Sequence, residues 1–397
     1  MTVCSDLADY EWLTGSDARA LLEELAAEKS PLHLVVSRLR RRVTQNQTHL
    51  LIEQTELRRR AAAKFTRADQ MFFTATGLEQ ATDEWVARYK ASRFAAQRVG
   101  GRAGDIADLC CGIGGDLVAF AKTFRAVGVE RDPIAAHFAA VNVGAEVRAV
   151  DATDFNLDGF AAFHIDPDRR PTDRRTTSLE YCQPNREAIE QLLRHLPDAA
   201  VKLAPATVVP REWAERCELE WISRDGECRQ LVAWHGSLAQ RPGRRCATIL
   251  SATRGYAPRT VVGIPRQVLP IAEKPNRYVF DVDPAVLAAK LKGSLAAEHQ
   301  LSALGDGPTY LTGPHALDDA ALACFEVDDV APLHPTMLAK YLSARGIGRL
   351  EIKKRGIDID PEELRRQLKL RGDNGATLLV TQVAGRARAI LAHRIAK

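Results

Sequence analysis

Ile106-Ala107-Asp108-Leu109-Cys110-Cys111-Gly112-Ile113-Gly114-Gly115-Asp116 joins a short apolar run to a glycine-dense turn and then to the start of a helix. A chain laid out this way holds a nucleotide-like cofactor. Glycines have no Cβ, so the turn can adopt positive φ and bring backbone N–H groups close to a ligand. The next apolar strand, Ala126 to Glu130, ends in a carboxylate 18 positions after Gly112, where a ribose diol needs an acceptor.

Three readings of this turn compete. A dinucleotide fingerprint, for NAD or FAD, calls for a further glycine at the position that is Leu117 here. A pyrophosphate is also repelled by a carboxylate at the helix N-terminus, where Asp116 stands. S-adenosylmethionine carries no phosphate; Asp116 is harmless to it, and Asp108 can face its cationic amino or sulfonium end. The third reading is a glycine turn that only packs a helix on a sheet. The residues favour S-adenosylmethionine, held by Asp108, Gly112, Gly114 and Glu130.

Outward from the turn, strand and helix alternate: Ile106–Leu109, a helix from Gly115, Ala126–Glu130, helix Pro133–Val143, Glu146–Val150, Ala161–Ile165, helix Arg186–Leu196 and strand Ala199–Leu203. Such alternation predicts parallel βαβ units. ELEWIS and CRQLVAW then flank Asp225-Gly226, whose residue types suit a hairpin turn. A terminal antiparallel hairpin on a doubly wound sheet argues against the all-parallel dinucleotide fold.

The first hundred residues read as helical, with Ser16 a candidate cap ahead of Ala18, Leu21, Leu22 and Leu25, and further patterns at Leu32–Val43 and Leu50–Lys64. Met71 to Phe94 differs: a short aromatic-rich stretch leads into an amphipathic helix just before the cofactor strand, placed to cover the pocket. Beyond Cys246 come strands at Ala247–Ser251 and Tyr278–Val282 and a helix at Pro284–Leu295. A compact α+β unit follows, with helix Met337–Ala344, strand Gly348–Lys354, helix Pro361–Leu370 and strands Thr377–Gln382 and Ala387–His393. The boundaries implied are 1–95 for the helical region, 96–240 for the cofactor domain, 241–325 for a connecting α+β region and 326–397 for a basic terminal domain.

A length of 397 residues suits two or three domains, and 46% hydrophobic with 27% charged residues suits a soluble globular chain. No apolar run approaches a membrane span and no signal-like segment opens the chain, so a cytoplasmic protein is expected. The eight cysteines form no C-x-x-C pair and no cluster at zinc spacing; reduced thiols and no metal are expected. Cys110 and Cys111 read better as buried packing than as reactive thiols. From Ala331 to Lys397, 14 basic residues face six acidic ones, a net +8 in a chain whose total is +4. That segment reads either as a handle for a polyanion such as RNA or as a solvated surface.

In an open parallel sheet, ligands bind at the carboxyl ends of the strands near the switch point. The fourth strand ends in His164-Ile165-Asp166-Pro167-Asp168-Arg169-Arg170-Pro171, so Asp166 and Pro167 fall where a methyl group meets its acceptor. Methyl transfer is an in-line displacement, and Asp166 can orient an amine or hydroxyl nucleophile and accept its proton. Asp-Pro is also a common turn dipeptide. Asp151 ends the third strand, where an adenine amine needs an acceptor, with turn or helix capping as its rival. Arg169, Arg170, Arg174 and Arg175 form a basic cluster for phosphate or base stacking, and Lys202 ends the fifth strand facing the cleft. His164 reads as packing under the strand.

At these residues the chain resembles class I S-adenosylmethionine-dependent methyltransferases, and more narrowly the bacterial ones that carry a C-terminal THUMP-like domain. The resemblance covers roughly 71–236, with motif I at Asp108–Gly114, the ribose acid at Glu130 and the motif IV position at Asp166-Pro167, and extends to 333–397. MFFTATGLEQATDEWVARYKA followed by DLCCGIGGD is also similar to the trimethylguanosine synthase type, relatives of which methylate guanine in RNA. It implies an α/β Rossmann-like domain with a mostly parallel seven-stranded sheet, an N-terminal helical region and an α+β THUMP-like domain. It also implies S-adenosylmethionine as cofactor and tRNA or rRNA as substrate. One departure stands out: amino-methylating relatives carry a second proline and an aromatic where Asp168 and Arg169 stand. The alternatives are a cofactor- or RNA-binding protein without catalysis, and a methyltransferase of a small molecule or protein.

Overall fold

The computed structural model describes residues 6–96, 104–169 and 177–395. It divides into two compact units, Met1–Cys217 with Val232–Pro242, and Glu218–Leu231 with Gly243–Lys397.

In the first unit, α1 (Leu7–Thr14), α2 (Ser16–Ala26), α3 (Leu32–Leu39) and α4 (Gln45–Ala61) bury Leu13, Leu22, Leu39, Leu51 and Leu57 in one cluster. Ile113 of the glycine turn and Phe138 belong to the same cluster. The helical region and the parallel-sheet region therefore share a core. Ser16 is not the cap expected: Gly15 holds the N-cap position without a side-chain bond, and the Ser16 hydroxyl donates to Asp17. Thr44 and Gln47 form a full capping box on α4. Then come α5 (Ala75–Gln80) and α6 (Glu84–Ala96).

Five strands follow: β1 (Asp105–Leu109), β2 (Ala126–Val129), β3 (Val147–Arg148), β4 (Phe160–Ile165) and β5 (Ala199–Leu203). All run parallel, in the order β3-β2-β1-β4-β5. β1, β2 and β5 are buried or nearly so along their whole length, as strands covered on both faces must be. The helices are α7 (Leu117–Phe120), α8 (Pro133–Val143), α9 (Arg186–His195) and α10 (Arg211–Arg216). α8 shows why its sequence forms a helix: Asp132 caps it, Pro133 occupies its first turn, and Gly144 ends it in the left-handed conformation. The chain order reverses at β1, whose neighbours are β2 and β4, and that reversal opens a cleft at the strands' carboxyl ends.

The second unit begins with β6 (Glu218–Arg224); β6 and β7 (Glu227–Trp234), whose last three residues belong to the first unit, flank Asp225 and Gly226, both at positive φ, as the hairpin expectation required. β6 also pairs in parallel with β8 (Arg245–Leu250), which pairs antiparallel with β9 (Pro258–Gly263), so hydrogen bonding continues past the hairpin rather than ending there. Then follow β10 (Tyr278–Val282), α11 (Pro284–Ala288), α12 (Lys292–Glu298), β11 (Ser302–Ala303), β12 (Leu311–Gly313), β13 (Leu322–Pro332), α13 (Pro335–Ala344), β14 (Ile347–Arg355), α14 (Pro361–Leu368), β15 (Asn374–Val383) and β16 (Arg386–Arg394). Their seven strands are ordered β11-β12-β10-β13-β16-β15-β14. Leu338, Leu342, Leu364 and Leu368 pack in one cluster with Leu378, Val380 and Leu391. The single helix expected at Pro284–Leu295 is two, because Lys290 turns to φ +62° between them. Among the described residues, no helix is long and apolar enough to cross a membrane.

Candidate functional site

The cleft holds about 580 Å³ and is lined from β1, β2 and β5, the loops after β1, β2 and β4, and the segment ahead of α6. Asp108, Gly112, Glu130, Asp151, Asp166, Pro167, Arg169 and Lys202 all line it. Arg170 lies outside the described residues, as do Arg174 and Arg175.

Gly114 has a different place. It is absent from the lining, and a Cβ there would stand 2.9 Å from Val143 Cγ2 and 3.4 Å from the Ala139 backbone. Its φ of +87° and the close approach of α8 both require glycine. Gly112, at φ +54°, faces open space, and its N–H donates to Glu130 Oε2 at 2.9 Å. Glu130 Oε1 accepts from the Asp132 N–H at 2.9 Å. Two backbone donors thus fix the carboxylate at the end of β2, while burial raises its pKa.

Asp151 caps a turn, accepting from Thr153 N–H at 2.9 Å and from the Thr153 hydroxyl at 2.8 Å; these bonds lower its pKa. Cys110 and Cys111 both line the cleft, and burial pushes their thiols well up, so neither is poised as a nucleophile.

At the carboxyl end of β4, the Asp166 N–H donates to Leu109 O and its Oδ2 is ion-paired with Lys202, which also donates to Gln80 O at 3.3 Å. Asp168 exchanges backbone hydrogen bonds with Gln183 at 2.8 and 2.9 Å, and its carboxylate lies 3.8 Å from Arg131. The Asp-Pro-Asp turn is therefore held from both sides.

Beneath the glycine turn lies a buried charge cluster. His164 Nδ1 is 2.7 Å from Asp108 Oδ1, and Lys90 Nζ is 3.0 Å from His164 Nε2 and 2.7 Å from Asp116 Oδ1. The Thr82 hydroxyl donates to Asp116 Oδ2 at 2.7 Å. Lys90, Asp108 and His164 are fully buried and Asp116 is 6% exposed. Because Lys90 compensates Asp116, that carboxylate repels a pyrophosphate less than its place in the sequence implies. Asp108 is bonded to His164 through one oxygen. Its second oxygen, Oδ2, is buried with no hydrogen-bond partner among the described residues.

Sequence reasoning missed Lys90. The available signal was spacing: Val86, Lys90 and Phe94 follow one another at four-residue steps on α6, and all three are fully buried.

Residues 322–394 match a family model described as THUMP domain-like. Two proteins of Mycobacterium tuberculosis, strains CDC 1551 / Oshkosh and H37Rv, are each described as an uncharacterized S-adenosylmethionine-dependent methyltransferase. Each is 32% identical over 350 residues, covering 84% of this chain and 92% of its own length. A crystal structure from Porphyromonas gingivalis W83, provisionally named a methyltransferase, has the same fold, with a TM-score of 0.72 at 18% identity over 98% of each chain.

Proposed function

The chain belongs to the S-adenosylmethionine-dependent methyltransferases, and from that premise we propose that it methylates RNA, with the cofactor in the cleft of the first unit and the THUMP-like region of the second as the RNA handle. The cleft suits the cofactor in one specific respect: Asp108 Oδ2, a buried acceptor without a donor among the described residues, is what a cationic amino group needs.

S-adenosylmethionine supplies an activated methyl group when bound. In this reading Glu130 accepts from the ribose hydroxyls, keeping lone pairs beyond those it gives to two backbone N–H groups. Asp151 accepts from the adenine amine, Gly112 and Gly114 shape the turn, and Asp108 takes the ammonium. Asp166 receives a hydrogen bond, and then the proton, from the nucleophile; Lys202 keeps it in place and Pro167 stiffens the turn. Arg169 and Arg170 contact the substrate by stacking or through phosphate.

The observation that carries RNA as substrate is the coincidence of the THUMP domain-like match at 322–394 with the net +8 of 331–397. Labelling cells that have or lack the protein with methyl-labelled methionine tests it. Label appearing in RNA only with the wild type, and lost with Asp166→Asn, is the expected result. Charge reversal at Arg371 and Arg386, both exposed, lowers that labelling and flattens the salt dependence of RNA binding. Label appearing in the protein or metabolite pool instead overturns the proposal.

A further inference from the structure

We infer that Lys90 and His164 form a buried, one-directional hydrogen-bond chain that holds Asp108 as the acceptor for the ammonium of the cofactor's amino-acid end. This rests on the cleft being the cofactor site. It makes Lys90 and His164 positioning residues, acting through Asp108.

The direction of the chain follows from its first member. A charged lysine ammonium has only donors, so His164 Nε2, 3.0 Å away, must accept. The ring is then neutral with its proton on Nδ1, and that N–H donates to Asp108 Oδ1 at 2.7 Å. Burial lowers the Lys90 pKa, while Asp116, 2.7 Å from Nζ on the other side, opposes that and favours the ammonium; the Thr82 hydroxyl satisfies the remaining Asp116 oxygen. Each bond fixes the next, and the series ends at Asp108 Oδ2, which lines the cleft without a donor among the described residues, whereas Asp116 Oδ1, the other buried oxygen there without a hydrogen bond, has the Lys90 ammonium 2.7 Å away.

Charge balance says what completes it. Lys90 contributes one positive charge against the carboxylates of Asp108 and Asp116, leaving one negative charge where water is excluded. The charged pair nearest to hand, Asp166 with Lys202, is neutral as a pair. A buried charge without a partner is costly. Burial raises the Asp108 pKa in spite of His164, the state of a carboxyl that a cation or a proton would relieve. Burial also works against ionised Asp116, yet Lys90, 2.7 Å away, favours it, and its pKa lies below the ordinary range. The deficit therefore sits at Asp108. An ammonium arriving at Oδ2 brings both the missing donor and the missing charge; a pyrophosphate brings neither, so the chain also selects among nucleotide cofactors.

Two neutral thioether ligands separate this role from a structural one. S-adenosylhomocysteine carries the amino-acid end, and 5′-methylthioadenosine lacks it. Both are titrated calorimetrically into the full-length wild type, Lys90→Met, the charge-balanced Lys90→Met/Asp116→Asn, His164→Leu and His164→Asn. In Lys90→Met, the double variant and His164→Leu, affinity for S-adenosylhomocysteine falls roughly tenfold or more, the scale of a charge-assisted hydrogen bond. Methylthioadenosine affinity stays within about twofold, which also certifies a folded cleft. His164→Asn, whose amide N–H can still donate to Asp108, retains most of the wild-type affinity. Equal losses for both ligands, or no loss in any variant, overturn the inference; should Lys90→Met not fold, the double variant and the His164 pair decide it. A wild type that binds neither ligand overturns the cleft assignment itself.

Discussion

His235 follows β7, its ring edge-on to Trp213 with centroids 4.8 Å apart and its nitrogens 3.3 and 3.4 Å from Cys217 Sγ. Burial lowers its pKa from 6.5 to about 4. Between those values the unfolded chain takes up a proton that the folded chain refuses, so stability contributed by neutral His235 is complete above about 6.5 and lost as pH falls toward about 4. Thermal unfolding across that range shows a smaller decline in Tm for His235→Gln than for the wild type; parallel declines contradict this. At the same scale, residues at strand ends were legible in the sequence. Glu130, Asp166 and Lys202 follow from strand boundaries and line the cleft; Asp151 lines it too, but from a turn, because the third strand is only Val147–Arg148 and stops short of it. Residues defined by a partner were not legible. Helical spacing identifies the face Lys90 lies on, but not that His164 and Asp116, 74 and 26 positions away, meet its ammonium there.

The elements show where local chemistry suffices. Asp132-Pro133 and Gly144 delimit α8, and Asp225-Gly226 makes its hairpin, because these residues dictate backbone geometry by themselves. Ser16 fails as a cap because Gly15 already bends the chain into the next helix. The stretch at Phe72 and Phe73 is set by tertiary contacts. Asn142 of α8 accepts from Phe72 N–H at 2.7 Å and donates to Phe72 O at 2.9 Å, while Gln54 of α4 does the same for Phe73 at 2.9 and 3.0 Å. Two amides thus satisfy backbone groups that belong to no helix or sheet. Asn142 also donates to Ile113 O, so the stretch and the glycine turn share one anchor. Phe72 is fully buried, 5.8 Å from Phe138 between ring centroids and beneath Arg19 and Arg58. Phe72→Ala costs about 3–5 kcal/mol of stability by denaturant unfolding. A loss below about 1 kcal/mol would mean that the stretch is not part of the core.

At the scale of the molecule, chemistry and charge are divided: the cleft belongs to the first unit, and the basic terminal segment to the second. The sequence count identified the charge but not how its members are used. Arg355 and Lys353 pair with Asp281, Arg345 with Asp329 and Arg366 with Glu363, so these three arginines and one lysine are tied to the protein's own carboxylates. Such pairings between distant positions are fixed by the folded sheet, which is why composition alone does not show them. The cofactor cleft is the premise on which both the RNA proposal and the Lys90 chain depend. Calorimetric titration of S-adenosylmethionine into the full-length protein and into Glu130→Ala tests it most directly. The wild type should bind the cofactor, and Glu130→Ala should bind it roughly tenfold or more weakly, the scale of lost hydrogen bonds to a charged acceptor. Absence of binding by the wild type, or unchanged affinity in Glu130→Ala, would contradict the assignment.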